Sequence, residues 1–167
     1  HPRLSIAANC RMCMVESSMA PPGKLVPACQ TGIAEGLAIK TTTDKVRAQQ
    51  KSVMEFLLLN HPVDCSICDQ AGECKLQDYY MKYDAKSSRL SGAKVLRNKR
   101  KVLGDLVVLD QERCIMCTRC VRFMDEVAKA PQLGVFGRGS HEYVDVSPHF
   151  GKLESNYSGN IVDICPV

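Results

Sequence analysis

Val46, Val53, Met54, Leu57 and Leu58 recur at helical spacing, and Thr43 or Asp44 stands where an N-cap belongs. The pattern predicts a helix ending near Leu59, stopped by Asn60 and Pro62, with a packing role and the task of delivering His61 to the next loop. Leu76, Tyr79 and Tyr80 predict a shorter helix over 75–82, and a polar link follows over 84–91. Four consecutive apolar residues predict a strand over 106–109. Val121, Met124, Val127 and Ala128 predict a helix stopped by Pro131. Before residue 40, prolines and glycines break the apolar runs, leaving Leu25 with Val26, and 37–39, as strand candidates.

The remaining signal is cysteine. The chain has 167 residues and ten cysteines, aromatic content of 5% and no tryptophan. That leaves little for a large aromatic core, and bound metal groups can supply organisation instead. The thiols come in C-x2-C pairs, which points to metal ligation in a reducing compartment rather than to disulfides. No apolar run approaches membrane-spanning length. The net charge of +4 is mild. Lys94, Arg97, Lys99, Arg100 and Lys101 form a basic run without interleaved aromatics, which reads as a solvated or partner-facing stretch rather than a nucleic-acid site. Gly134, Gly137 and Gly139 lie in the wrong order for a dinucleotide fingerprint.

Three ligand sets emerge. Cys114, Cys117 and Cys120 make C-x2-C-x2-C, with Cys165 before Pro166, the pattern of a ferredoxin-type [4Fe–4S] cluster. His61, Cys65, Cys68 and Cys74, spaced H-x3-C-x2-C-x5-C, offer three thiols and an imidazole to a second [4Fe–4S] cluster. Cys10, Cys13 and Cys29 supply three thiols to a third site. Ser5 occupies the plant-type position for a fourth but is a poor substitute for thiolate, so that ligand is expected upstream of His1. Ten cysteines and one histidine fall one short of three four-ligand sites. A tetrahedral zinc suits the central loop alone, but C-x2-C-x2-C suits it poorly. His1, His141 and His149 lack cysteine context and read as structural. By position in the chain, the His61 loop is the middle station of the three.

The segments HPRLSIAANCRMCMVE, HPVDCSICDQAGECKLQDYY and ERCIMCTRCVRF resemble, in order, the N-terminal region of the large iron–sulfur subunit of NADH:quinone oxidoreductase, respiratory complex I. CDQAGEC followed by LQD carries the likeness well beyond metal spacing. The resemblance implies an α+β chain. Its parts are a truncated β-grasp [2Fe–2S] ferredoxin domain at 1–43, a [4Fe–4S] segment ligated by one histidine and three cysteines at 44–90, and a ferredoxin-like [4Fe–4S] segment at 91–167.

It also implies one [2Fe–2S] and two [4Fe–4S] clusters in a piece of a longer subunit. This piece would carry electrons without acid–base or nucleophilic chemistry of its own. Implied partners are other peripheral-arm subunits, including the NADH/FMN-binding subunit and downstream iron–sulfur subunits. Neither nucleic acid nor membrane insertion is expected. The implied location is the cytoplasmic side of a bacterial plasma membrane, or a mitochondrial matrix arm. The iron–sulfur subunit of an NAD-linked hydrogenase or formate dehydrogenase reuses the same modules and is the alternative. A zinc scaffold or nucleic-acid module is the alternative of another class.

Overall fold

A computed structural model describes residues 1–83 and 87–167, so the expected polar link lies partly outside the described residues. The first unit is a three-stranded antiparallel sheet in the order β2-β1-β3, built from β1 (Met14–Ser17), β2 (Leu25–Pro27) and β3 (Ile39–Lys40). Val15 pairs with Val26 and is buried, giving the small sheet its apolar side. The sequence pattern does not flag β1, because MVES offers only two apolar residues and no longer alternation.

Helix α1 (Asp44–Leu58) packs against β1 and begins where the pattern places it. Thr43 caps it, its side-chain oxygen accepting from the Val46 N–H at 3.3 Å. Val46, Val53 and Met54 are buried along one face. Helix α2 (Lys75–Tyr83) rests against α1 through buried Leu76.

The larger core lies in the second half. Leu103, Val107, Met124, Leu133, Leu153 and Ile161 form one buried cluster. It is enclosed by the pair β4 (Lys101–Val102) and β5 (Val108–Leu109), helix α3 (Arg119–Glu126), the hairpin β6 (Leu133–Phe136) and β7 (Tyr143–Val146), and the short helix α4 (Asn160–Ile164). Burying one such side chain is worth about 1.5–3 kcal/mol.

Two expectations shift here. The strand expected over 106–109 shrinks to Val108–Leu109, because the Leu103 N–H donates to the Val107 carbonyl and closes a tight turn that leaves Leu106 exposed. The third helix ends at Glu126, well before Pro131. Val127 and Ala128 both donate to the Phe123 carbonyl, and Lys129 turns left-handed at φ 52°. Val127 is therefore half exposed rather than on the packed face.

The basic run is not a free surface. Lys94 donates to the carbonyls of Leu58 and His61, and the Val95 N–H donates to the Asn60 side chain at 3.0 Å. Arg97 reaches the Ser140 carbonyl at 3.1 Å, Lys99 meets Glu112 at 2.7 Å and Lys101 meets Asp145 at 2.8 Å. The stretch is a strap tied to acids and carbonyls inside the chain.

Candidate metal centres

The central loop is shaped by backbone as much as by spacing. After Pro62, Val63 adopts φ 54°, uncommon for a β-branched residue, and reverses the chain after His61. A single 3₁₀ turn, Cys65–Ile67, follows, with the Cys68 N–H on the Cys65 carbonyl at 3.3 Å. Cys74 precedes α2, where the Gln77 N–H donates to its Sγ at 3.5 Å. Amides aimed at sulfur stabilise thiolate and tune a bound cluster.

His61 is held at its carbonyl by Lys94, and its Nδ1 is buried without a hydrogen-bond partner among the described residues. Burial pushes the imidazole pKa down; Asp64 opposes it, the charges of Lys94 and Arg113 add to it, and a hydrogen bond with the Arg113 backbone opposes it again. A neutral imidazole with an orphaned nitrogen suits a metal ligand. Asp64 is tied to Arg113 at 3.4 Å and to Lys99 at 3.7 Å, which anchors the loop to the segment before Cys114. His61 and Cys114 line one cleft, together with Arg97 and Glu112.

Cys114, Cys117, Cys120 and Cys165 come together, although Cys165 is remote in sequence. Burial raises the Cys120 thiol pKa to about 12, reinforced by Cys114, Cys117 and Cys165. Burial likewise raises Cys114 and Cys165, and Cys117 adds to both. Burial disfavours thiolate at Cys114, Cys120 and Cys165, and a bound cationic metal group would offset that cost. Met116 and Thr118 are left-handed, at φ 55° and 58°, and fold the C-x2-C-x2-C run into its turns. The Met116 N–H donates to Cys114 Sγ at 3.4 Å. Cys120 lies in the first turn of α3, and Arg119 donates to the Ile164 carbonyl at 3.3 Å, pinning the Cys165 segment.

Cys10, Cys13 and Cys29 also converge. The Cys29 N–H donates to Cys13 Sγ at 3.5 Å. A hydrogen bond with the Cys13 side chain, partial burial and the charges of Cys13 and Cys10 raise the Cys29 pKa. Ser5 is turned elsewhere: its N–H donates to Glu126 at 2.8 Å, and its hydroxyl bonds the same carboxylate.

Among the described residues, no group of three or more His, Cys, Asp or Glu side chains is drawn tightly enough for a single metal ion. A cluster differs in that its ligands bind separate irons. The fit to clusters rests on the converging thiols, the N–H···S bonds and the orphaned imidazole.

The spatial order differs from the order in the chain. The Asn9 side chain donates to the Met116 carbonyl at 3.1 Å, joining the Cys10 loop to the Cys117 loop. The Lys75 N–H donates to the Pro166 carbonyl at 2.9 Å, joining Cys74 to Cys165. The Cys114 set thus touches both other sites, and it, not the His61 loop, stands in the middle. Asn9, Asn60, Lys94 and Arg113 are the supporting residues that spacing rules pass over; only their adjacency to ligands and to the helix end marks them.

Residues 50–89 match the family model "NADH-ubiquinone oxidoreductase-G iron-sulfur binding region". Residues 104–167 match "NADH-quinone oxidoreductase subunit 3, ferredoxin-like domain". The NADH-quinone oxidoreductase G subunit of Rickettsia conorii is 44% identical over 172 residues, covering 100% of this chain and 24% of the relative. The mitochondrial NADH dehydrogenase [ubiquinone] iron-sulfur protein 1 of Solanum tuberosum is 49% identical, covering 100% and 22%. The chain is similar, over its whole length, to part of the G subunits of NADH-quinone oxidoreductases. The mitochondrial 78 kDa subunit of Neurospora crassa, 43% identical, covers 100% of the chain and 22% of its own length. The chain thus spans about a quarter of the length of the relatives it matches. A chain of NAD+-reducing [NiFe]-hydrogenase in the H2-reduced state shares the fold, with a TM-score of 0.85, 24% identity, and coverage of 100% of this chain and 70% of that one. No helix among the described residues is long and apolar enough to cross a membrane.

Proposed function

We propose that this chain is the electron-carrying iron–sulfur region of an NADH:quinone oxidoreductase. It would take electrons from an NADH/flavin-bearing subunit and hand them on towards quinone through downstream iron–sulfur subunits. The observation that carries this reading is the series of three ligand sets tied by Asn9–Met116 and Lys75–Pro166 hydrogen bonds.

His61, Cys65, Cys68 and Cys74 would hold one [4Fe–4S] cluster, and Cys114, Cys117, Cys120 and Cys165 a second. Cys10, Cys13 and Cys29 would contribute three ligands to a [2Fe–2S] cluster. The clusters supply one-electron chemistry; the protein fixes their spacing, hydrogen bonds and dryness. The small sheet with α1 across it supports a β-grasp reading of 1–43, followed by the His-ligated segment at 44–90 and the ferredoxin-like segment at 91–167. Docking on the peripheral arm, at the cytoplasmic or matrix face, follows from the same reading.

The hydrogenase likeness supports the NAD-linked hydrogenase alternative through fold alone, whereas sequence identity of 43–49% supports the quinone oxidoreductase. The paired basic run gives the nucleic-acid alternative no support. The test is iron and acid-labile sulfide per chain after anaerobic preparation, with low-temperature EPR of the reduced protein. Iron and sulfide in cluster ratio with separable EPR signals are expected; stoichiometric zinc without labile sulfide overturns the reading.

A further inference from the structure

The N-terminal arm is docked onto the ferredoxin-type site by side chains that ligate nothing. Leu4 is buried, and Ser5 is gripped by Glu126 through both its N–H and its hydroxyl. Arg122 on α3 donates to the Ser5 carbonyl from one terminal nitrogen and to the Cys117 carbonyl at 3.2 Å from the other. Its Nε donates to Thr118 Oγ1 at 3.2 Å, which fixes the plane of the guanidinium. Beyond this clamp, left-handed Ala8 and Arg11, at φ 51° and 59°, bend the chain around Asn9 and Cys10. The bend brings the Asn9 amide to the Met116 carbonyl at 3.1 Å.

Both ends of that bond abut ligands. Asn9 is peptide-bonded to Cys10, and the Met116 carbonyl belongs to the peptide bond of Cys117. A bonded route between the two thiols therefore crosses a single hydrogen bond. An exposed polar residue without such a duty would bond water instead. The left-handed backbone that flanks it is costly for residues bearing a Cβ, so the bend needs a compensating contact.

We propose that Asn9 is a positioning residue that couples the Cys10 site to the Cys117 site, with Arg122 holding the arm in register. The proposal rests on the cluster assignments above. One electron leaving either site arrives at the other, with no bond made or broken and no proton moved. The Nδ2–H···O contact shortens the gap that the electron must cross.

The test uses the whole enzyme complex carrying Asn9→Ala, Asn9→Asp or Asn9→Gln, with EPR power saturation of the [2Fe–2S] signal before and after reduction of the neighbouring [4Fe–4S] cluster. In the unaltered enzyme, reducing the neighbour is expected to speed relaxation of that signal. Asn9→Ala and Asn9→Asp, neither able to donate, are expected to lose most of that enhancement while iron, sulfide and both signals persist. Asn9→Gln keeps an amide donor and is expected to retain part of it. Full enhancement in the Ala and Asp variants overturns the bridge. Loss of the [2Fe–2S] signal in all three variants assigns Asn9 to assembly of that site and also overturns it. Absence of clusters from the unaltered enzyme sinks the functional reading instead.

Discussion

At the scale of single residues, His61 carries the sharpest expectation. Burial lowers its imidazole pKa, and its Nδ1 has no hydrogen-bond partner among the described residues. Replacing it with alanine removes one ligand and opens a gap beside Cys114, while Lys94 still holds the backbone carbonyl. His61→Ala should lose the cluster of the His61 loop and leave the Cys114 signal in place; joint loss of both signals would refute separate ligand sets. His61→Cys should keep a cluster with a lower potential, since thiolate adds negative charge. A redox titration showing no shift would remove imidazole from the ligand set. The candidate ligands stand out in the sequence because soft side chains at fixed short spacing have few other uses. Their supports do not: Asn9 and Lys94 act through backbone carbonyls whose positions depend on the fold.

Regular elements repeat that division. Helix α1 was readable because its cap and its apolar face are local properties, and replacing Thr43 with alanine should cost about 1 kcal/mol in thermal unfolding. β1 and the β6–β7 hairpin were less so, because short strands gain their identity from partners: Val15 from Val26, and Phe136 from Tyr143. The start of α2 offers a cleaner experiment. Lys75 is its first residue, and its N–H bonds Pro166 rather than the helix. Proline is well tolerated at such a position, where it removes the donor and spares the helix. Lys75→Pro should therefore preserve helix content by circular dichroism and weaken the magnetic interaction between the His61-loop and ferredoxin-type clusters. An unchanged interaction would mean that packing alone sets their separation.

For the whole molecule, the question is what iron contributes to the fold. The sheet and the α1–α2 pair bury apolar side chains without reference to any thiol, and in the Met124 cluster Cys120 packs only against the edge of an otherwise aliphatic core. By contrast, the His61 and Cys114 loops contain a single 3₁₀ turn and several left-handed residues, and Ile67 stands largely in water. Little apolar burial holds these loops in shape, so clusters bound there would contribute much of their ordering free energy. Anaerobic removal of iron should therefore act locally. In hydrogen exchange, protection should vanish at the amides of Cys68, Gln77 and Met116, which lie on or against the thiol-bearing turns. Amides around Met124 and along β6 and β7 should stay protected, because the apolar cluster persists. Uniform collapse of protection would show instead that the clusters nucleate the entire chain. Unchanged protection in the loops would show that the backbone pre-forms its sites without metal.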